Sequence, residues 1–215
     1  MQSAIRTHCA DEVLVKERRA HIALCSTKLL CKKGFNQTSI REIATACNMS
    51  IGNLYHYVGT KEDILFLMLE RGLSDMKEVA DLAAQLTERP PVDALKVFLK
   101  VYIERIHSIR DIFLFFYQET KNLDERSRRS IFESEGATQD AIGKILERGV
   151  STGVFRIDNV GLVARNIIII GQAWAFRRWS LGRRFTVEEY IKEQTNYIFR
   201  SILTSSDKNM LLSSM

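Results

Sequence analysis

The chain has 215 residues, 46% of them apolar, enough for a sizeable core in one large domain or in a small domain fused to a larger one. Two adjacent prolines, Pro90 and Pro91, and 11 glycines leave few turn formers for a β-rich fold, so long helices are expected. The net charge of +5 favours polyanions only mildly, and residues 1–72 hold ten Lys/Arg against seven Asp/Glu; specific binding there must come from placed side chains, not a polycationic tail.

Residues 1 to about 15 show no period and are expected to fray. From Lys16 to Lys33 apolar positions recur at helical spacing through Ile22, Ala23, Cys25, Leu29 and Leu30. Lys32, Lys33 and Gly34 form a C-terminal stop, because glycine takes the left-handed cap and the lysines suit the negative end of the dipole. A second helix opens at Ser39, with Glu42 completing a capping box, and buries Ile40, Ile43, Ala44 and Cys47. Asn48 ends it, since asparagine tolerates a left-handed turn. Ser50 caps a third helix, with Ile51, Leu54 and Val58 along one side and Gly52, Asn53 and His56 on another. Thr60 and Asp63 cap a fourth helix running to about Leu86. Glu88 to Pro91 is the strong boundary. Beyond it, helices are expected over Val92–Ile106, Ile112–Tyr117, Asp124–Val150, Val160–Leu181 and Thr186–Leu203, with a loose tail after Ser205. The result is an all-α chain of about nine helices, without a convincing strand or repeat.

Two short helices joined by a tight turn and covered by a third are the device that lays side chains in a DNA major groove. At the start of the third helix, free N–H groups suit a phosphate. Gly52 admits close approach of the backbone. Asn53 can read adenine or hold a phosphate. The candidate interface comprises Thr38, Ser39, Ser50, Ile51, Gly52, Asn53, Tyr55, His56, Tyr57 and Lys61. Most of these contacts are expected to position the protein rather than read bases. Tyr55 is expected to pack inward, and His56 and Tyr57 to meet the duplex. Ile51 suits either the core or a thymine methyl. Lys61 is placed to reach a phosphate from the fourth helix.

The stretch KGFNQTSIREIATACNMSIGNLYHYVGTKEDIL resembles the DNA-binding domain of the TetR/AcrR family of transcriptional repressors. The GF…TSIREIA segment, the turn ending in Met49-Ser50, the Gly52–Leu54–Tyr55 core and Thr60-Lys61-Glu62 carry the likeness, which covers about residues 16–72. Cys47-Asn48 stands where Ala-Gly is usual, and Val58 where Phe is usual. The resemblance implies a DNA-binding domain over 16–72 and an all-helical ligand-binding and dimerisation domain over 73–205. It also implies a homodimer on double-stranded operator DNA.

The residues beyond the boundary agree with that division. Val160–Leu181 is more apolar than a half-exposed helix requires and could form, with Thr186–Leu203, half of a four-helix dimer seam; a purely internal core is the alternative. Phe98, Tyr102, Phe113, Phe116, Tyr117 and Trp174 suit either an apolar cavity or solid core. Tyr117-Gln118-Glu119 and the Trp174–Trp179 stretch are similar to the ligand domains of a TetR subgroup that senses CoA thioesters. Arg177, Arg178, Arg183 and Arg184 beside tryptophans suit phosphates and an adenine ring, or simply form a solvated cationic helix end. The candidate ligand residues are therefore Phe98, Tyr102, Phe113, Phe116, Tyr117, Gln118, Trp174 and Arg178, and the effector an acyl-CoA thioester or other small hydrophobic molecule.

The expected function is a ligand-released repressor. A helix-turn-helix activator and a protein-interaction module without effector are the rivals. Catalysis is not expected, since His8, His21, His56 and His107 are scattered and no phosphate loop or nucleophile elbow occurs. No cofactor and no metal are expected. Cys9, Cys25, Cys31 and Cys47 lack zinc spacing and read as small hydrophobes in a reducing cytosol, with a redox pair as the lesser alternative. The polar N-terminus and the short run Asn166–Phe176 point away from export or membrane insertion, so a cytoplasmic location is expected.

Overall fold

The structure is a computed structural model that describes Ile5, residues 11–119 and residues 123–204, apart from the side chain of Thr87. The described residues hold ten α-helices: α1 Glu12–Lys33, α2 Ile40–Ala46, α3 Ile51–Tyr57, α4 Lys61–Gln85, α5 Pro91–Ser108, α6 Arg110–Glu119, α7 Glu125–Ser151, α8 Val160–Phe176, α9 Arg178–Leu181 and α10 Val187–Ile202. A single 3-10 turn, Leu86–Glu88, precedes Pro90. There is no strand among them, only an isolated antiparallel bridge between Phe155 and Leu203. The expected loose tail after Ser205 lies outside the described residues, as does most of the segment before Asp11.

Two expectations at helix ends are corrected. The chain does not wait until Lys16 to become helical: the Asp11 carboxylate accepts from the N–H groups of Val13 and Leu14, both at 3.0 Å, and starts α1 at Glu12. The continuous Val160–Leu181 helix breaks at Arg177, where φ −110° and ψ 19° leave the helical range. The break falls where the apolar run ends and the exposed arginines begin. This raises the count from nine to ten.

The remaining caps follow their sequence signals. Gly34 sits at φ 81° with its N–H on the Leu30 carbonyl at 2.7 Å. Asn48, at φ 54°, carries the left-handed turn between α2 and α3. Ser39 and Glu42 form the reciprocal box, and Thr60 and Asp63 exchange the same pair of bonds at 3.1 and 2.9 Å. Pro91 occupies the first turn of α5, where a missing N–H costs nothing.

The chain divides into two compact units. The first takes residues up to Ser74 together with Asp111–Ser130, so it holds α1 to α3, α4 as far as Ser74, α6 from Asp111 and the start of α7. Its core is Ile22, Leu30, Ile43, Leu54, Val58, Ile64 and Met68, all fully buried. The buried hydroxyls of Ser26 and Thr27 donate back to Ile22 and Ala23 carbonyls at 2.6 and 2.7 Å, which satisfies them within α1. The second unit takes Asp75–Arg110 and the chain from Ile131, with α5 packed on α8 and α10. Leu95, Phe98, Tyr102, Ile103 and Ile106 of α5 are almost wholly buried there, which accounts for the apolar circumference read in the sequence.

Candidate nucleic-acid interface

The helix-turn-helix is braced from behind by α1. Arg19 donates from Nε to the Tyr57 carbonyl at 2.9 Å and so holds the end of α3. His21 of α1 bonds the Cys47 carbonyl at the end of α2 at 3.0 Å. With Leu54 and Val58 buried between them, the two short helices have one position against α1, which is the rigidity that groove reading needs.

The outward side of α3 carries Gly52, Asn53, Tyr55 and His56, all exposed; Ile51 is half-buried. A Cβ built at Gly52 would meet nothing within 4 Å, so the protein's own packing does not call for glycine there. Ser50 accepts from the Asn53 N–H at 3.1 Å, and its hydroxyl proton remains available to donate outward.

The two tyrosines are reversed from expectation. Tyr57 is 8% exposed and Tyr55 41%. Leu54, Tyr57 and Val58 fall at i, i+3 and i+4, a single helix face, so the inward place belongs to Tyr57. One further candidate is corrected. Thr38 is buried, with its hydroxyl spent on the Gly34 carbonyl at 2.8 Å. Lys61 is half-buried; its ammonium sits 4.2 Å from the Phe35 ring centroid and donates to the Phe35 carbonyl. That pair ties the start of α4 to the turn after α1, leaving only the remaining ammonium protons for a phosphate. Ser39 stays exposed, but its side chain is engaged with Glu42. The Glu42 carboxyl is pulled down to about 2, first by its bond to Lys33 and then by those to Ser39. Arg41, one residue into the exposed side of α2, is a cation that the sequence pattern passed over, because its position relative to α3 depends on the crossing of the two helices.

The ligand candidates divide between the two units. Phe113, Phe116, Tyr117 and Gln118 belong to the first unit, and Phe98, Tyr102, Trp174 and Arg178 to the second. Tyr117 is 66% exposed and Gln118 is exposed, the two following the buried Phe115 and Phe116 along α6. Within the second unit, Phe98 stacks on Tyr102 at 5.7 Å, and the Tyr102 hydroxyl donates to the Ile168 carbonyl at 3.2 Å. The Trp174 indole N–H donates to His107 Nδ1 at 2.8 Å, and its ring lies 5.0 Å from that of Tyr190. A donated bond at Nδ1 requires a neutral imidazole, and burial, then the Arg110 charge, hold His107 below its usual pKa. Tyr190 and His107 were not legible as partners of Trp174, because they come from three separate helices. Arg177, Arg178, Arg183 and Arg184 are all exposed.

Two family models match the sequence. One, described as the bacterial regulatory proteins of the tetR family, covers residues 26–68, and the other, the tetracyclin repressor-like C-terminal domain, covers 88–202. The chain belongs to the TetR family. It is 31% identical to the HTH-type transcriptional regulator HbdR of Aromatoleum sp. (strain CIB), over 97% of this chain and 90% of that one. It is 28% identical to the HTH-type transcriptional repressor KstR2 of Rhodococcus jostii (strain RHA1), over 88% of this chain and 93% of the relative. A solved structure of AibR in complex with isovaleryl coenzyme A and operator DNA shares the fold, with a TM-score of 0.69, 21% identity, and 85% of this chain and 98% of that one covered. TetR-family membership makes the exposed side of α3 part of a DNA-binding helix-turn-helix in a transcription regulator. No described helix of this TetR-family chain is long and apolar enough to cross a membrane.

Proposed function

We propose that this protein is a repressor that binds a near-palindromic operator as a homodimer and is released by a small hydrophobic effector, with acyl-CoA thioesters as the first class to test. The observation that carries the DNA half is the row Gly52, Asn53, Tyr55 and His56, turned outward on a helix fixed by Arg19 and His21. In this reading residues 16–72 bind DNA and residues 73–205 bind ligand and dimerise. Two copies of α3 lie about one DNA turn apart, roughly 34 Å. Ser50, Asn53 and Arg41 hold the backbone or read base edges, Tyr57 and Thr38 support from inside, and Lys61 offers a phosphate the ammonium protons that Phe35 leaves.

The dimer is supported by an apolar stripe on the second unit. Leu162 and Ile169 of α8 are 58% and 52% exposed, and Tyr197 of α10 is 65% exposed. Leu162, Asn166, Ile169 and Ala173 recur at helical spacing, and an uncovered row of that kind asks for a partner surface. The effector class is supported by the AibR complex with isovaleryl coenzyme A and by the exposed arginines beside Trp179. Ligand binding would act by moving α4, which runs from the first unit into the second. An effector that prefers the non-binding state by about 1–3 kcal/mol makes a useful switch.

The test is a mobility shift on DNA upstream of the protein's own gene, followed by a panel of acyl-CoA thioesters. Salt-sensitive binding to a defined site and release by one thioester are expected. Tight thioester binding that leaves operator affinity unchanged overturns the release mechanism.

A further inference from the structure

The first unit brings two thiols and an imidazole together where α1 meets the end of α2. Cys25 and His21 lie one turn apart on α1, with Cys25 Sγ 3.7 Å from His21 Nδ1 and 3.5 Å from Nε2. His21 Nε2 is also 3.0 Å from the backbone carbonyl of Cys47, and the Cys47 thiol points back at the Ile22 carbonyl of the same α1 turn, at 3.9 Å. Neither thiol is in a disulfide. A carbonyl only accepts, so the ring proton belongs on Nε2, and the unprotonated nitrogen is Nδ1, 3.7 Å from the Cys25 sulfur. The exposures differ in a useful way. His21 is at the surface, Cys25 is half-buried, and Cys47 is buried behind them.

We propose that Cys25 and Cys47 form a peroxide-sensitive thiol pair, with His21 as the base for Cys25, and that the disulfide they make weakens DNA binding. The effect on DNA rests on the repressor reading above; the disulfide itself does not. His21 Nδ1 takes the Cys25 proton, and the thiolate attacks the near oxygen of a hydroperoxide. The O–O bond breaks, the leaving oxygen takes a proton from the imidazolium and departs as water or an alcohol, and Cys25 becomes a sulfenic acid. Cys47 sulfur then attacks Cys25 sulfur, and the hydroxyl leaves with the Cys47 proton as water. Two thiols lose two electrons, and one peroxide is reduced. An unaided thiol at ordinary pKa is largely protonated at neutral pH, which is why a neighbouring base matters. Burial and the adjoining Cys25 push the Cys47 thiol up to about 11, fitting the second, resolving position rather than the attacking one.

The geometry also says what the bond would disturb. Cys47 caps α2 and precedes Asn48, whose left-handed turn aims α3. A disulfide brings the sulfurs to about 2.05 Å, well inside any non-bonded contact, and the adjustment falls on that turn. Cys31 is a poor competitor: its thiol donates to the Asp111 carbonyl at 3.1 Å, and burial holds its pKa up at about 12.

The full-length reduced protein is treated with hydrogen peroxide, alkylated and digested with trypsin without reductant. The peptides Ala20–Lys28 and Glu42–Lys61 are expected joined, with a loss of 2 mass units that reductant restores. Cys25→Ser should abolish the link and Cys31→Ser should leave it. His21→Ala should slow its formation by about tenfold or more. Operator affinity of the oxidised protein should drop about tenfold, recover with reductant, and hold steady in peroxide-treated Cys25→Ser. Cys25 found as sulfinic acid with the two peptides separate overturns the pair. A linked protein that binds DNA as well as the reduced one overturns the switch. Failure of the reduced protein to bind any operator counts against the repressor reading instead, and the peptide map still decides the disulfide.

Discussion

Gly52→Ala separates what the protein needs from what its partner needs. The new methyl meets no protein atom within 4 Å, and the residue lies in α3, where alanine is the better helix former. The gain over glycine is at most about 0.5–1 kcal/mol, and less near a helix start. For a chain of this size that raises Tm by about 1–4 °C. Gly136→Ala in α7 is the control: it too meets nothing within 4 Å and should show the same small gain. The two variants part on DNA. If α3 lies in the groove with Gly52 at the closest approach, the methyl must push the backbone off the duplex. A displaced set of contacts costs about 1–3 kcal/mol, or about five- to 150-fold in Kd. The assay is a fluorescence-anisotropy titration on the operator at fixed salt, with melting curves at one protein concentration. Equal operator affinity for Gly52→Ala and wild type would refute the placement of Gly52 at the interface. A loss of stability would refute the open space.

Three further outcomes follow from side chains on the page. Gly171→Ala places a Cβ 2.3 Å from Cε1 of Tyr102, whose ring is stacked on Phe98 and tied to Ile168, so stability should fall by about 1–3 kcal/mol in urea unfolding. The truncation Tyr102→Leu should relieve part of that loss in the double variant; additive losses would show that the ring is not what the methyl strikes. Glu42 has a folded pKa near 2, below its ordinary 4.5, so its bonds stabilise above pH 4.5 and their contribution fades as pH falls through 2. Glu42→Gln should therefore destabilise at pH 6 and lose its difference from wild type at the acid end, as read by unfolding at each pH. His107 titrates below 6.5, so the unfolded chain binds its proton first, and stability held above pH 6.5 is lost as pH falls toward the folded value. Nitrogen-15 NMR should find Nδ1 of His107 unprotonated at pH 7; an Nδ1–H signal there would contradict the bond from Trp174.

The helix boundaries and turns of the DNA-binding part were open to reading because their causes are local. Ser39–Glu42, Thr60–Asp63, Gly34 and Asn48 act within four residues of themselves, and every one of them sits where its chemistry predicts. The start of α1 was missed, although Asp11 is a good cap, because no apolar period follows it closely enough to reveal the helix. Which way a given side chain points was legible only where one face is clearly apolar. Tyr55 and Tyr57 are chemically alike and two residues apart, and it is the i, i+3, i+4 face of Leu54, Tyr57 and Val58 that marks Tyr57 as the inward one.

The chain by itself determined that this is an all-helical molecule with a braced helix-turn-helix, because helix periods and caps are written into neighbouring residues. Tertiary structure alone decided that Lys61 rests on Phe35, that Thr38 is inside, that Trp174 shares its N–H with His107, and that Cys25 and Cys47 meet across one imidazole. Each of these joins positions separated by a turn or by whole helices. Their partnership depends on how helices cross, and crossing is set by the sum of many side-chain contacts rather than by any single stretch of sequence.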